Sequence, residues 1–230
     1  MENLAKQVKI LKIYAGALTL AVLVLAVYMV TLNKGTYKEL TAERLNIVEK
    51  DGTLRMVISN KARQHPGRMD SKDLPTRERP AGMIFFNDQG DEDGGIVYDG
   101  DKNSASMTYS IDQWKNDQIM QLQYAQGKND KSFSRSYGLK LWERDDQFTL
   151  TKQIAFYDSL KRLKDTAALN AGLKKMKDAG RQRLFVGKNT NGEVGLFLSD
   201  STGKPRLNIY INKQSQPVIE KLNDKGEVVK

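Results

Sequence analysis

The sequence contains no cysteine and only one histidine, His65. The absence of cysteine excludes disulfide-stabilised scaffolds, thiolate zinc sites and cysteine nucleophiles. A single histidine excludes zinc sites built from several histidines, including the HExxH helix. His65 belongs to a stretch rich in proline, glycine and arginine, and nothing in the sequence supplies it with a partner. We interpret it as an exposed loop histidine.

Common catalytic and nucleotide-binding motifs are missing as well. There is no G-x-G-x-x-G and no G-x-S-x-G, which removes the usual dinucleotide-binding and α/β-hydrolase interpretations. Residues 180–189 differ from a phosphate loop because the spacing is too long and Asn189 replaces the magnesium-binding serine or threonine. Ser201 and Lys204 match S-x-x-K, but they lie on a predicted turn rather than on a helix. We therefore predict no catalytic, cofactor-binding or metal-ligating residue, and no cofactor.

One long hydrophobic run interrupts an otherwise polar chain. It begins at Ile13, ends at Leu32 and contains no charged residue. A helix of that length spans about 30 Å, the hydrocarbon thickness of a bilayer. The run is longer than a signal-peptide core, and no small-x-small cleavage site follows it. We predict a retained transmembrane helix at residues 13–32 that contacts the lipid bilayer.

The basic residues on either side of the predicted transmembrane helix indicate its orientation in the membrane. Three basic residues precede the helix and three follow it: Lys6, Lys9, Lys12, Lys34, Lys38 and Arg44. The α-amino group and the short basic tail, residues 1–12, favour an N-terminus inside the cell. We expect a single-pass membrane protein with a stalk at residues 33–44 and an extracytoplasmic, β-rich domain at residues 45–230.

Most of the chain after the stalk has the pattern of β-strands. Two β-branched runs flank Asp51-Gly52, the strongest hairpin signal in sequence. Further strand candidates are residues 82–86, 95–98, 106–110, 118–124, 137–142, 148–150, 194–198, 207–211 and 218–222. Residues 60–80 contain three prolines and few apolar residues, which predicts a long exposed loop. Turn signals spaced 11 or 12 residues apart near the C-terminus are typical of a meander, sandwich or solenoid.

The period changes to helical spacing between residues 156 and 179. We predict one inserted amphipathic helix there, with a break near residues 170–172 and Gly180 as its C-cap. Two acidic and eight basic residues lie between residues 161 and 183, the basic ones being Lys161, Arg162, Lys164, Lys174, Lys175, Lys177, Arg181 and Arg183. This basic helix predicts contact with an anionic surface or with other envelope proteins; a solvated face is the alternative. Nucleic acid is not expected as a partner.

An acidic turn at residues 88–93, with Asp99 and Asp101 nearby, offers oxygen ligands of the kind that calcium takes. Aligned to an EF-hand, however, the turn puts Gly100 where a bidentate glutamate belongs. Solvated hairpin turns are therefore the interpretation, and a looser calcium-binding turn is the alternative.

The two tryptophans, Trp114 and Trp142, lie in the predicted β-rich domain. We interpret them as core or oligomer-interface residues, because large aromatic side chains are enriched in both places.

The turns also carry a resemblance. Strands joined by (N/S)D-x-(x)-G turns and opening on arginine, as in DGTLRMVIS at residues 51–59 and STGKPRLNIY at residues 201–210, resemble uncharacterised membrane-anchored bacterial proteins. Such short repeats also resemble those of phage-fibre-like β-prisms and solenoids, in which trimerisation covers edges and apolar faces. The resemblance implies no activity and no site residue.

The predicted fold class is mainly β, with one N-terminal transmembrane helix followed by an antiparallel β-rich domain that carries one inserted amphipathic helix. The predicted function is that of a membrane-anchored structural or interaction protein of the bacterial envelope that forms a homo-oligomer. The alternative is an envelope glycan-acting enzyme that uses an unidentified pair of carboxylates.

Overall fold

The computed structural model describes residues 2–32, 37–128 and 132–229. The chain divides into two compact units, of which the first runs from Met1 to Ala42 and the second from Glu43 to Lys230. Residues 33–36 of the predicted stalk lie outside the described residues.

The first unit is built around helix α1 (Glu2–Leu32). The most apolar 18 residues of its segment Asn3–Thr31 have a mean hydropathy of 2.3, and none of them is buried. A helix that is apolar on all sides fits a membrane or a large protein core. α1 is therefore long and apolar enough to span a membrane.

The second unit is dominated by one antiparallel sheet of 12 strands. Its strands are β1 (Arg44–Val48), β2 (Leu54–Ser59), β5 (Ala81–Phe86), β6 (Glu92–Gly100), β7 (Ser104–Asp112), β8 (Gln118–Lys128), β9 (Phe133–Arg144), β10 (Gly180–Lys188), β11 (Val194–Ser199), β12 (Pro205–Ile211), β13 (Pro217–Leu222) and β14 (Val228–Val229). Each strand pairs with the next one in this series, so the sheet is a meander. The predicted mainly β, antiparallel fold class is confirmed.

Residues 60–80 are not an exposed loop throughout, because His65, Gly67 and Met69 are buried, while most of residues 71–78 are exposed as expected. They form a 3₁₀ turn (Lys61–Arg63) and a small hairpin of β3 (Arg68–Met69) and β4 (Lys72–Asp73). His65 and Met69 are only 4% and 3% exposed. The His65 ring meets the Phe86 ring edge-on, with 4.8 Å between centroids.

This packing makes the small core of the unit. Val57, Ile84 and Phe86 form a cluster in which no side chain is more than 3% exposed. The side-chain amide of Gln64 donates to the Pro80 and Gly82 carbonyls and so holds the segment against β5. A sequence pattern could not predict that residues 60–80 contact β5, because these contacts join residues far apart in the chain.

Two helices, not one, are inserted between β9 and β10. α2 (Leu150–Leu163) and α3 (Thr166–Asp178) are separated at Lys164, whose φ is 54°. The Asp165 carboxylate caps α3 by accepting from the backbone N–H groups of Ala167 and Ala168 at 2.8 and 3.1 Å. Lys164 ends α2 in the left-handed conformation and the Asp165 cap begins α3, so the break falls here and not near residues 170–172.

Gly172, near the predicted break, has a packing role inside α3. A Cβ at this position would lie 2.0 Å from a methyl carbon of Leu160, so glycine lets the two helices approach closely. The predicted strand at residues 148–150 is also wrong, because Leu150 begins α2.

Several hairpins share one hydrogen-bonded turn. The first residue of each turn donates its backbone N–H to the carbonyl four positions later and accepts from the N–H three positions later; these first residues are Glu49, Asn87, Gln113, Asn189, Asp200, Asn212 and Asn223. Where that residue is Asn or Asp, its side-chain oxygen also accepts a backbone N–H from within the turn. Outside the Gln113 turn the fourth residue has a positive φ; it is Ser215 in the Asn212 turn and, in the others, glycine, which adopts this φ without strain.

Replacing a turn glycine should therefore destabilise the sheet through backbone strain alone. Gly52 has φ +89°, and no atom lies within 4 Å of the place that a Cβ would take. Gly52→Ala should lower the free energy of unfolding by about 1–2 kcal/mol, because alanine is strained at positive φ. Gly127→Ala is the matched control, since Gly127 has equally open surroundings without a positive φ. Urea unfolding of both variants measures the difference; equal stability would contradict the strain argument.

Candidate functional site

The strand register sorts the side chains of the large sheet onto two faces. Residues paired across neighbouring antiparallel strands point to the same side. Three rows of paired residues between β6 and β13 share one side, which we call the apolar face. The central row is Ile96, Tyr109, Leu122, Leu139, Val186, Leu196, Ile209 and Ile219.

The two flanking rows are also mainly apolar. One contains Tyr98, Met107, Tyr124, Tyr137, Lys188, Val194, Ile211 and Pro217, and the other Gly94, Ile111, Met120, Leu141, Leu184, Leu198, Leu207 and Lys221. Lys188 and Lys221 are the two charged residues among them. The apolar face therefore continues without a polar interruption from β6 to β9.

The side chains of the apolar face remain in contact with solvent. Tyr98, Leu122 and Ile219 are 60%, 58% and 70% exposed. Met107, Tyr109, Leu122, Tyr124 and Tyr137 surround a hollow of about 260 Å³ on this face. An exposed apolar surface of this extent is typical of an interaction site.

The opposite face has a different chemistry. Polar residues of its middle strands include Thr108, Gln121, Gln123 and Lys140. Toward the C-terminus, Phe185 stacks on Phe197 and Phe197 on Tyr210, with centroid distances of 5.7 and 5.8 Å. The Phe185 ring covers Gly138, which is paired with Gly187, so aromatic packing here replaces missing side chains. This face is polar or packed internally, whereas the apolar face is neither.

A second feature is a partly buried ion network beside the β7–β8 turn. The Arg79 guanidinium donates two hydrogen bonds to the Glu92 carboxylate, at 2.8 and 2.7 Å. Arg144 pairs with Asp117 at 3.3 Å. Asp112 lies between these pairs, and its Oδ1 is buried without a hydrogen-bond partner among the described residues.

The environment of Asp112 favours its neutral form. Burial raises the pKa of Asp112 to about 8, and the nearby Glu92 and Asp117 carboxylates act in the same direction. The hollow lined by these carboxylates is about 30 Å³, room for about one or two water molecules. The carboxylates thus converge, but a hollow of this size does not admit a sugar ring, so this cluster does not favour the glycan-acting enzyme.

The network is joined to the helices by a polar hub. The buried amide of Asn116 donates to the Asp145 carbonyl at 3.0 Å and accepts from the Gln153 amide at 3.1 Å. Asp70 accepts from both the Lys115 ammonium and the Thr151 hydroxyl, at 2.7 and 2.6 Å. The β7–β8 turn is therefore held between the segment that covers the sheet and the start of α2.

The residues considered from sequence take the following positions. His65 is buried, and its Nδ1 accepts from the Gly67 N–H while burial lowers its pKa. Its exposure was therefore predicted wrongly, because residues of distant segments enclose it. Ser201 and Lys204 lie on the β11–β12 turn, where the Lys204 ammonium donates to the Asp224 carbonyl. Residues 180–188 form strand β10, in agreement with the rejection of a phosphate loop.

The acidic residues of this region make separate contacts. Asp88 pairs with Arg55 and Asp99 with Lys61, while Asp101 accepts two backbone N–H groups of its own turn. Asp91 is buried and accepts from the Ser71 N–H. No group of three potential metal ligands occurs among the described residues.

The basic residues of the helical insertion are exposed, and several contact neighbouring groups. Lys161 lies over the Tyr157 ring and Lys175 over the Phe156 ring, at 4.6 and 5.1 Å from the centroids. Arg183, on β10, pairs with Glu143. Some of the basic side chains therefore contact groups within the protein. Docking of the helices on an anionic surface stays a prediction.

No protein-family model, curated protein or solved structure matches this chain. The function has to be inferred from the residues themselves. Sequence reasoning missed the apolar face, although the alternation of apolar residues along each strand was its signal. It also missed the Asp112 network, for which the sequence offers no signal, since four separate segments contribute the charges.

The raised pKa of Asp112 predicts a specific dependence of stability on pH. An acid with a folded-state pKa near 8 holds its proton in the folded protein after the unfolded chain has lost it, so its contribution to stability falls as pH rises from about 4 to about 8. Asp112→Asn, which is neutral at any pH, should raise the free energy of unfolding by about 1–3 kcal/mol at pH 8 and by little at pH 4.

Urea unfolding at the two pH values measures this difference. Asp158→Asn, a change at an exposed aspartate of α2, is the matched control and should alter stability equally at both pH values. A pH-independent effect of Asp112→Asn would show that Asp112 is ionised in the folded protein.

Proposed function

We propose that the protein is a single-pass, membrane-anchored interaction protein of the bacterial envelope that self-associates through the apolar face. Helix α1 would hold the chain in the bilayer, and the β-rich unit would be the interaction module. The observation that carries the proposal is the apolar face, because soluble proteins rarely leave a continuous apolar surface of this extent in water.

The size of the apolar face supports a second copy as its occupant. Eight strands, β6 to β13, at a spacing of about 4.8 Å span about 38 Å, and three residues per strand cover about 20 Å. The resulting area of roughly 750 Å² approaches the ~800 Å² that each partner buries in a stable protein–protein interface. Two copies facing each other would form a two-layer sandwich with sheets about 10 Å apart.

Membrane anchoring favours this association. Copies held in one bilayer are confined to a thin layer, which raises their effective concentration relative to free diffusion. Lys188 and Lys221 interrupt one flanking row each, and a long lysine side chain can extend its ammonium toward the rim. The alternative occupant of the apolar face is another envelope protein. The experiment has to distinguish that partner from a second copy of this chain.

The orientation of the anchor is part of the proposal. With the N-terminus inside, a cysteine introduced at Gln214, in the exposed β12–β13 turn, should react with a membrane-impermeant maleimide in intact cells. The native chain has no cysteine, so the introduced thiol is the sole target. Labelling that appears only after the cells are lysed would show that the protein has the opposite orientation in the membrane.

Cross-linking of single cysteines tests the self-association. Tyr109→Cys, Leu122→Cys and Ile209→Cys introduce one thiol each on the central row of the apolar face. Because facing sheets lie about 10 Å apart, a short bismaleimide applied to native membranes should produce a covalent dimer from the variant nearest the two-fold axis.

Matched controls lie on the opposite face of the same strands. Thr108→Cys, Gln121→Cys and Asn208→Cys are each one residue from a test position and should remain monomeric. Equal cross-linking from both faces, or none from the apolar face, would contradict the proposed interface. Cross-links to a different protein would show that the face binds a heterologous partner.

A further inference from the structure

Trp114 lies at the tip of the β7–β8 turn and is 66% exposed. It is therefore not a core residue, which corrects one of the two interpretations made from the sequence. With residues of β2, β6 and the β5–β6 turn it borders an open hollow of about 430 Å³, which we call the Trp114 cleft. The cleft is lined by Arg55, Phe86, Asn87, Asp88, Gln89, Asp93 and Trp114.

The lining offers hydrogen-bonding groups that the fold leaves free. The Asn87 Oδ1 accepts the Gln89 and Asp91 N–H groups at 2.9 and 3.1 Å, which fixes the amide and leaves its Nδ2 without a partner among the described residues. The side chains of Gln89 and Asp93 likewise make no hydrogen bond within the described part of the chain. Two amides and one carboxylate can therefore meet a ligand at one place.

The aromatic group and the charged pair are both held in position. The Lys115 ammonium lies 5.1 Å from the Trp114 ring centroid and is itself bound by Asp70 at 2.7 Å. The indole remains 66% exposed despite this contact and contributes to the cleft lining. Opposite, Arg55 pairs with Asp88, whose side chain is 92% exposed and keeps free acceptor positions.

The chemistry of the cleft selects a ligand class. Its volume lies in the range of about 300–1,000 Å³ found for small-molecule sites, but it is open and mostly polar, which disfavours a mainly apolar ligand. The carboxylates of Asp88 and Asp93 disfavour phosphate groups. A pyranose ring combines an apolar C–H face, which packs on indole, with a rim of hydroxyl groups that amides and carboxylates bind.

The geometry points to a saccharide-binding site in the Trp114 cleft, for an uncharged hexose or N-acetylhexosamine unit of a glycan. Trp114 provides the stacking surface, and Asn87, Gln89 and Asp93 bind hydroxyl or acetamido groups. The open shape of the cleft allows further sugars of the same chain to extend into solvent. This inference does not depend on self-association through the apolar face.

Calorimetric titration of the full-length protein tests it, in a detergent without a sugar headgroup. The probes are three tetrasaccharides: β-1,4-linked N-acetylglucosamine, β-1,4-linked glucose and α-1,4-linked glucose. At least one should bind with a dissociation constant of about 10–1,000 μM. Trp114→Ala should weaken that binding about tenfold, and Trp114→Phe should restore part of it because the smaller ring still stacks.

A polar variant and a matched aromatic control complete the test. Asp93→Asn should weaken binding several-fold through loss of a charged acceptor. Tyr37→Ala removes a comparably exposed aromatic side chain that belongs neither to the apolar face nor to the cleft lining, and should leave binding unchanged. Absence of binding of all three sugars at 10 mM, a concentration about tenfold above the weakest expected dissociation constant, would overturn the inference. Equal binding by Trp114→Ala and the native protein would do the same.

Discussion

Backbone pairing between successive antiparallel strands is the interaction on which the second unit depends. The large sheet is a meander in which each strand hydrogen-bonds to the next, while the buried apolar cluster is confined to Val57, Ile84 and Phe86 with their neighbours. In such a sheet, strand pairing satisfies the backbone hydrogen-bonding groups even where few side chains are buried. One of its faces is covered near β2 and β5 or packed by its own aromatic residues, and the other presents three apolar rows. The need to bury those rows connects the fold to the proposed function.

The hairpin turns make this arrangement possible, and one of them also carries the most specialised chemistry. Most turns are short and repeat the same hydrogen bonds around an asparagine or aspartate. The β7–β8 turn differs, because Asn116 is buried against α2, Asp112 lies in the ion network and Trp114 projects outward. A turn fixed on its inner side can present an aromatic side chain in a defined position, which favours binding by reducing the entropy lost when a ligand is ordered. In the proposed saccharide site, the polar hub therefore fixes the turn that presents the exposed indole.

Local signals predicted much of the fold. The Asp51-Gly52 hairpin, the C-terminal turn spacing and the apolar run that ends at Leu32 depend on residues close in sequence, and all three correspond to observed elements. The errors about burial concern interactions over longer distances, as the burial of His65 requires Phe86. The misplaced helix break is a local error, because the Asp165 cap competes with helix propensity. The Asp112 network and the Trp114 cleft join separate strands, so composition and periodicity do not reveal them.

The mass of the full-length protein in detergent micelles tests the central claim most directly, namely that the apolar face is covered by a second copy. The chain has a mass of 26.0 kDa, so light scattering corrected for bound detergent should give a protein mass of twice that value. Substituting Leu122 and Ile209 by glutamate should return the mass to that of one chain, because charges on the central row oppose burial. A native protein of 26.0 kDa at all concentrations would contradict the account. A dimer that persists in the glutamate variant would show that another surface holds the copies together.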